Sequence, residues 1–354
     1  MSAVYIALLF VLASSFRLIT GKVQKGVLNI VLFLLLYLLV VMMINQITIT
    51  DSLDFSPNGH LKLSYQATSL FMIVVLIALL PQLSQNQSNR LFSIYYAVIL
   101  TAIIGEWILV NMLGVSNSLM PAYRNSPGYY EAYNGFYRPF GLTGNAPVNG
   151  SMLVVATWIM ILFVQPSRAR RYLALTLIAL LLNNSGQALL SFFMTCAVYL
   201  AGRYRGLVRP LVFTIGSCML WGVVYSGIFS KLSLDYILNI NQYWFFEIFN
   251  QMDITRVIFG GYSFYQDLFT NPDYNTEFYP VYAVSRFGLL LTLTTWIYLW
   301  LKLPSRGRLV LFTALFIGSI HYATILYIPL LVLIAVLIAT RSSSDINTQS
   351  PAPC

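Results

Sequence analysis

The stretch Tyr172–Ala201 reads YLALTLIALLLNNSGQALLSFFMTCAVYLA. It is apolar except for a polar knot, Asn183–Gln187, at its middle. Arg168, Arg170 and Arg171 stand just before it, and Arg203, Arg205 and Arg209 follow it. The two halves read as short membrane spans, about 172–184 and 187–202, joined by a polar turn, with both basic flanks on one side. That reading decides the class of the whole chain.

The rest of the sequence repeats the pattern. Apolar runs separated by polar interruptions fall at about 2–16, 27–45, 67–84, 92–114, 150–165, 172–184, 187–202, 210–228, 285–302, 309–322 and 324–340. The expected fold is all-α, a polytopic membrane bundle of about eleven transmembrane helices forming one domain over 1–341. A Ser/Pro-rich cytoplasmic tail over 342–354 is expected to be disordered. Composition agrees. Of 354 residues 58% are apolar, 15% aromatic and 9% charged, against roughly 25% charged in soluble proteins. A soluble globular enzyme, a disordered chain and a fibre are excluded. The three cysteines, Cys196, Cys218 and Cys354, make no CxxC pair or ligand cluster, so neither a disulfide framework nor a zinc site is expected. Met1–Ser15 lacks a basic n-region and a small-x-small cleavage site, and reads as the first span.

Charge fixes the expected orientation. Arg17, Lys22 and Lys25 lie in the first loop. Alternate loops then carry Arg90, the two arginine triplets flanking 172–201, and Lys302, Arg306 and Arg308, with Arg341 after the last run. These fourteen of the 20 basic residues share one side, leaving Lys62, Arg124, Arg138, Lys231, Arg256 and Arg286 opposite. Basic residues collect on the cytoplasmic side, so the N-terminus is expected outside and the C-terminus inside. The net charge of +9 is therefore a topology signal, and no nucleic-acid partner is expected. Of the acids, only Asp345 is placed in the cytoplasm and only Glu106 within a span; the others fall outside.

Cytoplasmic loops are short and basic, whereas three outer loops are long: about 46–66, 115–149 and 229–284. The last is expected to hold helices of its own, for instance around Tyr236–Asn250. Chemistry is commonly carried on loops held by a rigid scaffold, which places the expected work on the outer face. No Walker or dinucleotide fingerprint occurs, and no internal repeat of the kind found in inverted-repeat transporters. The second outer loop is rich in Tyr, Gly and Asn and carries Arg124, Glu131 and Arg138. Tyr faces stack on sugar rings and Arg grips phosphate bidentately. The same composition also suits an interfacial aromatic belt with ordinary turn residues.

Four short segments sharpen the choice. The segment Tyr137-Arg138-Pro139-Phe140-Gly141-Leu142-Thr143-Gly144-Asn145 sets Arg, Gly and Asn at the spacing Arg-x-x-Gly-x-x-x-Asn. Asn183-Asn184-Ser185-Gly186-Gln187-Ala188 breaks the run quoted above. Phe259-Gly260-Gly261-Tyr262 precedes Ser285-Arg286-Phe287-Gly288, in which an Arg stands at the mouth of a span. Ser319-Ile320-His321-Tyr322 places one of only two histidines at the outer end of another. With the span count and loop lengths, these segments resemble the O-antigen polymerase and ligase superfamily, from about Arg138 to His321. The sequence departs from that family at 185–188, where Gln187 stands near the place of an arginine.

The resemblance implies a GT-C-like membrane glycosyltransferase acting on the outer face of a bacterial cytoplasmic (inner) membrane. Its substrate would be a polyprenyl-diphosphate-linked oligosaccharide. Membrane lipid and, in the same pathway, a flippase and a chain-length regulator would be its other partners. No cofactor is implied, and no metal if arginines neutralise the diphosphate. Arg138, Arg286 and His321 are the expected catalytic residues: the arginines clamp the leaving group and His321, or an acid of the outer loops such as Glu247 or Asp253, takes the proton. Arg124, Glu131, Asn145, Gln187, Arg256 and Glu277 are the expected substrate-binding residues. Snorkelling of Arg286 and a simple interfacial hydrogen bond for His321 are the alternatives. His60 reads as a solvated loop residue, and Glu106 as either an ion-pair partner, a proton holder or a structural hydrogen-bonding group. The expected function is a polymerase of surface-polysaccharide repeat units; the alternatives are a ligase handing finished glycan to lipid or protein, a flippase or transporter, and a non-catalytic scaffold. Polar interest concentrated outside the spans favours the transferases over a transporter.

Overall fold

The computed structural model describes residues 84–114, 137–139, 141–143, 145–203, 254–259, 279–320 and 324–347, with positions 210, 214 and 216. All regular structure among them is helical. In chain order the α-helices are α1 (Gln85–Trp107), α2 (Ala146–Ile159), α3 (Ala169–Asn183), α4 (Gly186–Arg203), α5 (Ile254–Phe259), α6 (Tyr279–Lys302), α7 (Arg308–Ser319) and α8 (Ile328–Asn347). Two π-helical turns, Ile108–Met112 and Met160–Val164, prolong α1 and α2. So prolonged, Gln85–Met112 and Ala146–Val164 are long and apolar enough to cross a membrane. Seven of the eleven expected spans coincide with described helices. Those at 2–16 and 27–45 and nearly all of 67–84 lie outside the described residues, as does most of 210–228.

By its contacts the chain divides into two compact units. One comprises Gln85–Ile240 and Ser305–Thr324; the other comprises Met1–Ser84, Asn241–Pro304 and Ile325–Cys354.

In the first unit α2 is the axis. It packs against α1, α3, α4 and α7, and every residue from Val148 to Ile159 is buried. An apolar helix with polar positions at Asn149, Ser151 and Thr157 on its buried surface needs partners that answer each polar group. Thr157 Oγ1 lies 2.7 Å from Thr176 Oγ1 of α3, which in turn lies 3.3 Å from the Tyr96 hydroxyl of α1. Trp158 Nε1 donates to Thr195 Oγ1 of α4 at 2.6 Å. Small residues let the backbones approach. A Cβ on Gly150 would stand 2.5 Å from the Ala188 Cβ of α4, so no larger residue fits there without moving a helix.

Helix α1 carries large apolar residues on both its buried and its outer face. Its buried stripe, Ser88, Phe92, Tyr96, Ile99, Ile103 and Glu106, follows helical spacing and includes polar groups. Its outer face shows Leu91, Ile94 and Val98, each 44% exposed or more. Water does not favour such a face; hydrocarbon does.

Local chemistry explains where these helices start and stop. Asn145, extended at φ −141° and ψ 111°, caps α2 by accepting the Val148 N–H, and Pro147 follows in the first turn, where its missing N–H costs nothing. Asn184 ends α3 in the left-handed region at φ 48° and ψ 48°; among non-glycine residues Asn tolerates that region well. Ser185 Oγ then accepts the Ala188 N–H and opens α4. The hairpin expected at 183–187 is thus observed.

In the second unit α5 packs against α6. Helix α6 begins at Tyr279, ahead of the expected 285, because Pro280 in the first turn favours initiation. It is broken at Gly288, at φ 76° and ψ 159°, a conformation essentially confined to glycine. Helix α8 begins at Ile328 after a 3₁₀ turn at Thr324–Leu326, with Pro329 in its first turn. It runs to Asn347, so positions 342–347 of the tail expected to be disordered are helical. Likewise 146–149 and 279–284, expected in outer loops, belong to helices. The helix expected around Tyr236–Asn250 lies outside the described residues.

Candidate functional site

Helices α1, α2, α3, α4 and α7 alternate in direction, so the first unit has two ends of opposite character. At one end lie Arg90, Arg168, Arg170, Arg171, Arg203 and Arg306, all exposed, and Arg308. This end is closed by Met160 and Leu162: Ser93 Oγ contacts Met160 Sδ at 3.9 Å, and Gly307 packs on Leu162. At the other end lie Arg138 and the one acid among the described residues of this unit, Glu106. That second end holds two of the segments singled out from sequence.

The segment around Arg138 is strapped down by side chains of α1 and α2. Asn111 sits in the π-helical turn, whose wider winding is marked by the Leu113 N–H donating to the Ile108 carbonyl at 3.1 Å. The Asn111 side chain brackets Tyr137. Its Oδ1 accepts the Tyr137 N–H at 2.7 Å, and its Nδ2 donates to the Tyr137 carbonyl at 3.0 Å. Three residues after Arg138, the Gly141 N–H donates to Glu106 Oε2 at 2.6 Å. Asn149 Oδ1 then accepts the Leu142 and Thr143 N–H groups at 3.1 and 3.3 Å, while its Nδ2 donates to the Asn145 carbonyl. Gly141 is required twice over. Its φ is +59°, and a Cβ there would meet the Asn149 side chain at 2.6 Å. Pro139 is buried and Arg138 half-buried between these clamps. The backbone carrying the guanidinium is therefore fixed on both sides, the arrangement that preorganised charge stabilisation needs.

The turn 183–187 closes the same end. Asn183 Nδ2 donates to the Ala146 carbonyl at 2.7 Å, and Gln187 Nε2 donates to the Gly318 carbonyl near the end of α7. Thr324 Oγ1 also donates to the Gly318 carbonyl, at 2.8 Å. Each amide nitrogen is spent on a backbone acceptor, which fixes where the amide oxygen must be. Among the described residues nothing donates to Asn183 Oδ1 or Gln187 Oε1, and Ser151 Oγ beside them is likewise without a hydrogen bond. Buried acceptors left over at one end of a bundle are uncommon and mark it out.

Of the residues expected from sequence, the structure brings Arg138, Asn145 and Gln187 to this end. Asn145 serves as the α2 cap and Gln187 as the α4–α7 tie, a structural duty at each position. Arg286 lies in α6, two residues before the break at Gly288, and Arg256 lies in α5, both in the second unit. Arg124, Glu131, Glu277 and His321 lie outside the described residues, as do Glu247, Asp253 and His60. Of the three readings of Glu106, the structure gives the hydrogen-bonding one a partner, the Gly141 N–H. Sequence reasoning passed over Asn111, Asn149 and Ser151. The signal available was their polarity within or beside apolar runs, which at membrane depth marks function or a tie. No cluster of three or more potential metal-ligating side chains occurs among the described residues. Comparison with protein-family models, with curated proteins and with solved structures finds no match.

Proposed function

We propose that this chain is a polytopic membrane glycosyltransferase that joins polyprenyl-diphosphate-linked oligosaccharide repeat units into a surface polysaccharide. On this reading it lies in the cytoplasmic membrane of a bacterium, with the arginine-rich end of its first unit in the cytoplasm and the Arg138 end outside. The observation that carries the reading is the clamped Arg138 segment, a cation whose backbone is held on both sides at an amide-rich end of the bundle. The exposed apolar face of α1 and the gathering of arginines at the opposite end support the membrane part.

The chemistry follows from the donor. An acceptor sugar hydroxyl attacks the anomeric carbon of the lipid-linked chain. The new C–O bond forms as the bond to diphosphate breaks, and the leaving diphosphate gains negative charge. Arg138 neutralises that charge where it develops. The hydroxyl proton passes to a base, His321 or an acid of the large outer loop. Ligation of finished glycan uses the same chemistry and differs only in the acceptor.

The test is the size profile of lipid-linked glycan in a strain lacking this protein. Single repeat units accumulating on lipid, with no long chains, is the expected result. Long lipid-linked chains that never reach their acceptor would make the protein a ligase. Single units held in the cytoplasmic leaflet would make it a flippase and end the catalytic reading of Arg138.

A further inference from the structure

We infer that the arginine end of the first unit is a binding surface for anionic phospholipid headgroups. Six exposed arginines, Arg90, Arg168, Arg170, Arg171, Arg203 and Arg306, come from the ends of three helices, α1, α3 and α4, the 3₁₀ turn before α3 and the turn before α7. Nothing of opposite charge answers them within the described part of this unit, whose single acid, Glu106, lies at the far end. Such a concentration of like charge repels itself unless an anion sits against it.

A second observation says which anion. Large apolar side chains are exposed directly beside the cations. Leu91 and Ile94 follow Arg90, Leu200 precedes Arg203, and Leu309 follows Arg306 and Arg308, each at least 38% exposed. Free phosphate or a nucleic acid would match the charge and leave these side chains in water. A phospholipid offers both layers in the observed order: phosphate at the guanidinium level, and acyl chain against the leucines. A guanidinium pairs with a phosphodiester through parallel N–H···O bonds, which favours Arg over Lys for this contact. Several such groups arranged around one bundle end fit a shell of lipids rather than a single molecule.

This inference rests on the membrane residence proposed above, but not on the glycosyl transfer. The test reconstitutes the full-length protein in bilayers mixing phosphatidylcholine and phosphatidylglycerol, with one of the two brominated. Quenching of tryptophan fluorescence then reports which lipid contacts the protein. An arginine near an anionic surface contributes about fivefold, ~1 kcal/mol, so a several-fold preference for phosphatidylglycerol is expected. Replacing Arg168, Arg170 and Arg171 by Gln should lower the preference severalfold. Arg203→Gln with Arg306→Gln provides a second variant, should the first fail to fold. Equal quenching by both lipids in the unmodified protein, or a preference unchanged in either folded variant, would overturn the inference and leave the membrane reading intact. Quenching by neither lipid would overturn both. Loss of the preference in inorganic phosphate but not in chloride of equal ionic strength would replace the headgroup surface by a discrete phosphate site.

Discussion

The two ends of the first unit handle polarity in opposite ways. At the Arg168 end the polar groups are charged and exposed, and they hang outside the packing. At the Arg138 end they are mostly neutral and buried: Asn149, Ser151, Asn183 and Gln187 are each at least nine-tenths buried, and amide nitrogens hold neighbouring backbone carbonyls. An exposed charge costs the fold almost nothing, and on the membrane reading proposed above it also orients the chain. A buried amide costs the fold unless answered, and in return fixes geometry. On the membrane reading the first end sets direction; the second end holds a segment still. Substitutions at the two ends should separate on that ground.

The largest separation is expected in activity. Arg138→Ala should cut long polymer about 100-fold or more, the scale on which one preorganised charge-stabilising donor acts, while the protein still reaches the membrane. Arg168→Ala should leave chain length unchanged. Chain length on gels, normalised to the membrane level of each variant, reads both. Equal losses would mean that the two ends do not differ in function.

The next effect is on stability and tests the strap itself. Glu106→Leu removes the acceptor of the Gly141 N–H. Leaving that half-buried donor unanswered should cost about 1–3 kcal/mol, read as a fall in thermal midpoint in detergent. Glu106→Gln keeps an acceptor oxygen and should recover most of the loss. If Gln fails as badly as Leu, the carboxylate charge matters and the hydrogen bond alone does not explain Glu106. Polymer yield should follow the same order, because the strap positions Arg138.

How much of this was legible beforehand divides along the same line. The hairpin at 183–187 was readable because a polar knot in an apolar run has few other solutions, and Asn184 accepts the left-handed conformation the turn needs. That Arg168, Arg170, Arg171 and Arg203 share one end of the first unit was readable from the apolar runs between them. Helix starts were read late wherever apolarity was the only guide: the polar stretch Gln85–Asn89 is helical, and Pro280 opens α6 six residues ahead of its apolar run. The break at Gly288 was visible as a residue but not as a conformation, since Gly is tolerated within a helix as well. The strap was the least legible feature. Glu106 and Gly141 are 35 positions apart, and Asn111 and Tyr137 are 26 apart. No local spacing encodes side-chain bonds across such a gap; only the π-helical turn at Ile108–Met112 and the cap at Asn145 bring the partners together.

The smallest effect is expected where charge is most abundant. Arg168→Gln combined with Arg170→Gln removes two cations, yet both side chains are exposed and α3 keeps its packing on α1 and α2. In detergent, where no anionic headgroup layer is present, the thermal midpoint should move by no more than about 0.5 kcal/mol equivalent, the usual range for surface substitutions. Removing like charges from a crowded end even relieves repulsion, so a slight rise is as consistent as no change. A fall as large as that of Glu106→Leu would mean that these arginines are tied into the fold, and the contrast between an orienting end and a holding end would collapse. The comparison is sharpest in that form, because the variant at one end removes two exposed cations and the variant at the other one buried side-chain acceptor, and the buried acceptor should matter more.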